Sequence, residues 1–145
     1  MKLKNYTKFD NKSIKEIIKF VRPSGLSNFE IGVKNSKNGF CGRCYYNGCS
    51  YHGNFSPYVV IRIGDKIKFP IDNGQDVDVK GKGYLSGYKL FTTEEVLVYL
   101  MAHELRHLWQ AKHRRGYRYY NCRGQFSERD ADCYAIHKLR EWRRN

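Results

Sequence analysis

The sequence predicts an α+β domain, and three features predict it: an N-terminal segment with helical apolar spacing, alternating or β-branched stretches through residue 63, and two helical segments filling residues 92–144. The 145 residues are material for one domain, 1–145, and no repeat, low-complexity tract or Pro/Gly/Ser linker divides them.

In the first helix, Ser13 to Val21, the residues Ile14, Ile17, Ile18 and Val21 share a face, and Pro23 ends it. Phe29, Ile31 and Val33 then alternate with polar residues, as a half-buried strand does. Tyr45-Tyr46 and Tyr58 to Ile63 are further strands, rich in aromatic and β-branched residues and bounded by glycines. Residues 64–91 mix Gly, Asp and Lys with short apolar patches and read as a hairpin or a long ordered loop. Thr92 and Glu95 form a capping-box pattern, after which Val96, Leu97, Leu100, Met101, Leu105 and Leu108 keep helical spacing. From Val96 to Ala102 this helix is apolar all round, so it packs on several sides. Gly116 to Gly124 interrupts it. The last helix starts at Ser127, with Asp130 at its third position and Phe126 stapled to Ala131, and runs through Tyr134, Ala135, Leu139 and Trp142.

Composition excludes several classes. Hydrophobic residues are 41% of the chain, enough buried surface to exclude disorder as its main state. The longest apolar run, Val96 to Ala102, is too short to cross a bilayer, so no membrane association is expected. Met1 to Phe20 is charged throughout and lacks the apolar core of a signal peptide. Five cysteines, an odd number, fit a disulfide framework poorly, and a cytoplasmic setting is the expectation. The net charge of +13 favours polyanionic partners, although a Lys-, Asn-, Tyr- and Ile-rich chain also follows from base composition alone. Residues 101–145 hold 9 of the 12 arginines and only 2 of the 15 lysines. Arg114, Arg115, Arg118, Arg123, Arg140, Arg143 and Arg144 are candidates for a cationic band suited to non-specific nucleic acid or an acidic protein.

The central helix carries His103-Glu104-Leu105-Arg106-His107. Histidines at i and i+4 stand one turn apart on one face, within reach of a single metal ion, and Glu104 beside them is placed to take a proton from water. A catalytic zinc site needs a third protein ligand. His113 completes H-E-x-x-H-x-x-Q-x-x-H, but Gln110 occupies the position where a glycine would let the chain turn back. A continuing helix carries His113 about 9 Å along the axis from His107. Glu128 is the better candidate, with Asp132 competing for the role. Glu128 and Asp132 share a face of the last helix, so Glu128 can bind the ion while Asp132 holds a histidine ring N–H from the second shell of the site.

His103 to His107 followed by Glu128-Arg129-Asp130-Ala131-Asp132-Cys133-Tyr134-Ala135 resembles the zincin metallopeptidases of gluzincin type. Within them it is most similar to the compact ImmA/IrrE-like and SprT-like phage or bacterial proteins. The resemblance spans residues 92–144. It implies a small zincin-like domain with an N-terminal helix, a small twisted sheet, an active-site helix and a C-terminal helix. It further implies one catalytic Zn2+ on His103, His107 and Glu128, and hydrolysis of peptide bonds in a protein or peptide substrate, as an endopeptidase rather than an exopeptidase. Glu104 is then the general base. SprT-like proteases use a third histidine that this chain lacks. Tyr117, Tyr119, Tyr120 and His113 are candidates to stabilise the oxyanion, and Tyr58 to Ile63 is the expected sheet edge for an extended substrate. Separately, Cys41, Cys44, Cys49 and His52 offer four soft ligands for a structural zinc, in a spacing that is not a zinc-knuckle pattern. That cluster and the basic surface support an alternative function, a nucleic-acid-binding module.

Overall fold

A four-stranded mixed sheet organises the computed structural model, which describes residues 1–45, 57–72, 77–78, 84–85, 88–113 and 125–145, without the side chains of 77, 78, 84, 85, 113 and 125–127. The first strand, β1 (Lys2–Asn5), pairs in parallel with β2 (Glu30–Ser36), and β2 pairs in parallel with β4 (Tyr58–Gly64). The remaining strand, β3 (Phe40–Tyr45), runs antiparallel along the far side of β4, giving the order β1-β2-β4-β3. Tyr58 to Ile63 is therefore an interior strand, and the expectation that it forms the sheet edge is corrected: among the described residues the edges are β1 and β3. The uninterrupted Tyr58-Val59-Val60-Ile61 run fits that interior place.

The helix α1 (Asn11–Val21) crosses over from β1 to β2. Asp10 caps it, accepting the Ser13 N–H at 2.9 Å, so the helix starts ahead of Ser13. Its Ile14, Ile17, Ile18 and Val21 are buried in one core with Ile31, Val33, Val59, Ile61 and Ile63 from the inner face of the sheet. β1 itself was not apparent from the sequence, because its single inward apolar side chain, Leu3, makes no pattern.

After β4 the chain makes two short antiparallel ladders. One pairs β5 (Ile71–Asp72) with β8 (Lys89–Leu90), and within it β6 (Val77–Asp78) pairs with β7 (Tyr84–Leu85), which is the hairpin form of the 64–91 segment.

The central helix, α2 (Thr93–His113), opens on the predicted cap: Thr92 Oγ1 accepts the Glu95 N–H at 3.1 Å, while Glu95 Oε1 accepts from the Phe91 N–H at 2.7 Å. Val96 through Ala102 are all buried, packed between the sheet, α1 and the last helix, α3 (Gln125–Arg144). α3 begins two residues before the expected start, so the backbone of Phe126 and Ser127 already lies inside its first turn. Fully buried Ala131 and Ala135 let α3 approach α2 closely. The Tyr134 hydroxyl donates to Val21 O at 2.5 Å, tying α3 to α1 as well. Among the described residues, no helix is long and apolar enough to cross a membrane.

Candidate metal centre

His103 and His107 stand on one face of α2, and the first turn of α3 brings Glu128 against them. The His103 and His107 Nε2 atoms are 3.1 Å apart. Glu128 Oε2 lies 3.3 Å from the former and Glu128 Oε1 3.0 Å from the latter. Donors at about 2.0–2.1 Å from one tetrahedral ion stand roughly 3.4 Å apart, close to the edges of this triangle. Two imidazoles and a carboxylate are also the right donor chemistry, so the residues fit a zinc ion. Glu128 is half exposed while the histidines are largely buried, which leaves the carboxylate side of the triangle open to solvent.

Each histidine is held from behind. His103 Nδ1 is 2.9 Å from Asp132 Oδ1, which also accepts from the Tyr99 hydroxyl at 2.8 Å. Tyr99 stacks in turn on Tyr88, with ring centroids 4.2 Å apart. Burial, and next the Asp132 charge, raise the Tyr99 phenol far above its ordinary value, so it remains a donor. On the other side His107 Nδ1 is 2.9 Å from Gln110 Oε1, and Gln110 Nε2 donates to Asp130 Oδ2 at 2.9 Å. Arg106 grips Asp130 with Nε at 2.7 Å and Nη2 at 3.1 Å. The guanidinium lies over the Trp109 ring, 3.9 Å from its centroid.

The electrostatics ask for a cation. Burial opposes charge on His103, but Asp132, Glu128 and Glu104 outweigh it and raise the imidazole to about 10. Hydrogen bonds from His103 and then His107 hold the Glu128 carboxyl well below the usual range. Glu104 is buried, with Oε1 3.9 Å from His103 Nε2, and burial pushes its carboxyl up against the pull of the two histidines.

Gly42 on β3 explains how Glu104 reaches this place. A Cβ at residue 42 would stand 2.7 Å from Glu104 Cγ and 2.9 Å from its Oε1, so the carboxylate lies directly on the backbone of the edge strand.

Sequence reasoning missed Gly42, Tyr99, Arg106, Gln110 and Asp130. A glycine inside a strand is the usual sign of a close approach and was available for Gly42. Gln110 was weighed only as a glycine replacement.

Cys41 and Cys44 do not form a half-site. Three residues apart on a regular strand, their side chains leave opposite faces of the sheet, Cys41 exposed and Cys44 half-buried against the core. Cys49, His52, Tyr117, Tyr119, Tyr120, Arg114, Arg115, Arg118 and Arg123 lie outside the described residues, as does the side chain of His113, whose backbone closes α2. Arg143 is not part of a free cationic band: it binds Glu95 with Nε at 2.6 Å and also donates to Lys89 O.

Comparisons of the chain with protein-family profiles, with curated proteins and with solved structures each gave no match.

Proposed function

We propose that this chain is a zinc-dependent metallopeptidase of zincin type, with His103, His107 and Glu128 as ligands and Glu104 as general base. The observation that carries the reading is the Nε2–Nε2–carboxylate triangle, with edges of 3.0 to 3.3 Å, beside a buried carboxylate on the same helix. The architecture supports it too: a mixed sheet with an antiparallel edge strand, an H-E-x-x-H helix beneath it, and a following helix that delivers a glutamate.

Zinc at these residues supplies Lewis acidity, polarising a carbonyl and making water acidic near neutral pH. The chain's own groups do the rest. Glu104 takes the proton of the attacking water and hands it to the leaving amine; its burial favours the protonated form and so makes it the stronger base. Gln110 holds the His107 imidazole in orientation, and the Asp132 carboxylate stands 2.9 Å from His103 Nδ1 as its charge partner. Among the described residues no strand pairs with the far side of β3, so an extended peptide can add there as a further strand. The Gly42–Glu104 contact then brings its backbone beside the base.

Zinc content and hydrolysis of an unstructured protein, compared across the wild type, Glu104→Gln and Glu128→Ala, test the reading. Glu104→Gln should keep about one zinc per chain and lose hydrolysis by roughly 10²-fold or more, whereas Glu128→Ala should lose the metal. The reverse pattern, or a wild type without zinc, overturns it.

The outer sheet face favours a second reading, a surface for nucleic acid. Lys34 and Arg62 are direct cross-strand partners, Arg43 is diagonal to Arg62, and among the described residues no carboxylate pairs with any of them. Like charges placed opposite are unfavourable unless an anion joins them. Binding to single-stranded DNA that weakens steeply with salt, and weakens further in Lys34→Ala/Arg62→Ala, supports this; salt-independent binding rejects it.

A further inference from the structure

Resting on the metal-centre reading, we infer that Arg106, Asp130 and Gln110 form a polarity relay that places a hydrogen on His107 Nδ1 and holds the ring with Nε2 toward the candidate metal site, while the same relay docks the helix end that carries Glu128.

The direction of the relay follows from what each group can do. A guanidinium only donates, so Asp130 accepts from Arg106 with both oxygens, at 2.7 and 3.1 Å. With its oxygens accepting there, Asp130 can only accept from Gln110 as well, and the group it faces at 2.9 Å must be the amide NH2. That sets the amide: its carbonyl oxygen is left facing His107 Nδ1 at 2.9 Å, and a carbonyl oxygen only accepts. The Nδ1 atom therefore carries the hydrogen. Nε2 is thereby turned to the corner of the triangle it shares with His103 and Glu128, facing the Glu128 carboxylate at 3.0 Å in the metal-free chain, and it is the nitrogen free to hold an ion. The relay is sheltered, with Gln110 3% exposed and the Arg106 and Asp130 side chains 16% and 12% exposed, so water competes weakly for these bonds.

The relay also joins two helices. Arg106, His107 and Gln110 belong to α2, and Asp130 belongs to the first turn of α3, two residues beyond Glu128. One set of bonds thus orients the second histidine and positions the third ligand. Gln110 is a positioning residue here, occupying the place where a turning glycine would send the chain away from the helix. It instead reaches back one turn to His107 along the same helix.

The test reads the hydrogen on His107 Nδ1 directly, by long-range 1H–15N correlation of the ring in the full metal-free chain. The Nδ1–H form is expected in the wild type. Gln110→Leu, close in size and unable to accept, should shift His107 towards Nε2–H. Gln110→Met, also close in size and at most a weak acceptor, should act as the leucine variant does and serves if that variant does not fold. Zinc affinity, measured by competition with a chromophoric chelator, should fall about 10- to 100-fold in Gln110→Leu. An Nε2–H wild type, or a folded Gln110→Leu chain with an unchanged tautomer and zinc affinity within threefold, overturns the relay. A wild type that takes up no zinc overturns the metal-centre reading, and the tautomer in the metal-free chain still decides the relay.

Discussion

At residue 42 a single hydrogen atom separates two outcomes for the candidate base. Gly42 lets β3 lie on Glu104, and a methyl group there meets the Glu104 side chain at 2.7 Å, a contact that requires movement. Glu104 is buried and has little room to yield, so either its carboxylate turns from the His103–His107 face or β3 lifts. Gly42→Ala is expected to lower kcat by about 10- to 100-fold, because small misplacements of a catalytic group carry costs of that order. It should cost about 1–3 kcal/mol in stability. Zinc affinity should stay close to wild type, since the ligands come from α2 and α3. Peptide hydrolysis measured beside zinc titration checks this, and full activity in the variant would show that Glu104 does not depend on the strand. The histidine pair was legible in the sequence because ligand spacing within a helix follows from its period. The relay behind the pair was not, because Asp130 meets Gln110 only once α3 has docked. The backbone at Cys41 and Cys44 was hard to read for a related reason: a C-x-x-C pair converges in a turn but diverges on a strand, and the spacing alone does not say which backbone it occupies.

Among the elements, α2 was the most legible, since its cap, its length and its all-round apolar stretch are local properties. Strand order was less so. Whether β4 lies inside the sheet or at its edge depends on where β3 pairs, 13 or more residues away in the chain. The starts of α1 and α3 moved by two residues each, because Asp10 caps α1 and helical backbone reaches back to Gln125. The first of these is testable: Asp10→Ala removes the acceptor for the Ser13 N–H and hydroxyl and should lower the midpoint of urea unfolding, with an unchanged m-value. A second test concerns the α2–α3 joint. Arg143 on α3 holds the Glu95 carboxyl below its usual value; burial works against this and the Phe91 N–H adds to it. The folded pKa is thus depressed, so the contribution is present above the ordinary carboxylate value and fades as pH falls through the lower, folded value. Glu95→Gln should therefore be about 1 kcal/mol less stable than wild type at pH 7, the partly exposed pair being discounted for solvent, with the gap closing in acid as pH falls through that lower, folded value. Denaturant curves at pH 7 and in acid decide it, and a gap independent of pH would assign the loss to the cap alone.

For the whole molecule, the metal site and the fold should be one thermodynamic system. Two of the proposed ligands sit on α2 and one on α3, so an ion bound by all three would hold the helix pair together. Zinc that binds only the folded chain adds RT ln(1 + [Zn]/Kd), about 2.7 kcal/mol at a hundredfold excess over Kd. At this chain length each kcal/mol moves Tm by roughly 2–4 °C, so zinc should raise Tm by about 5–10 °C over chelator-treated protein. His103 must give up a proton to become a ligand, and its surroundings raise it to about 10, so uptake near neutral pH should release a proton and tighten as pH rises. The proton release appears in calorimetry as a binding enthalpy that changes with the ionisation enthalpy of the buffer. Glu104→Gln should retain the Tm rise, since Glu104 is not among the ligands, and Glu128→Ala should lose most of it. A rise equal in wild type and Glu128→Ala would mean that zinc binds elsewhere. In that event the triangle of His103, His107 and Glu128 is an ion-pair network joining two helices, with His103 as its cation, and removing Glu128 should then destabilise the zinc-free chain as well.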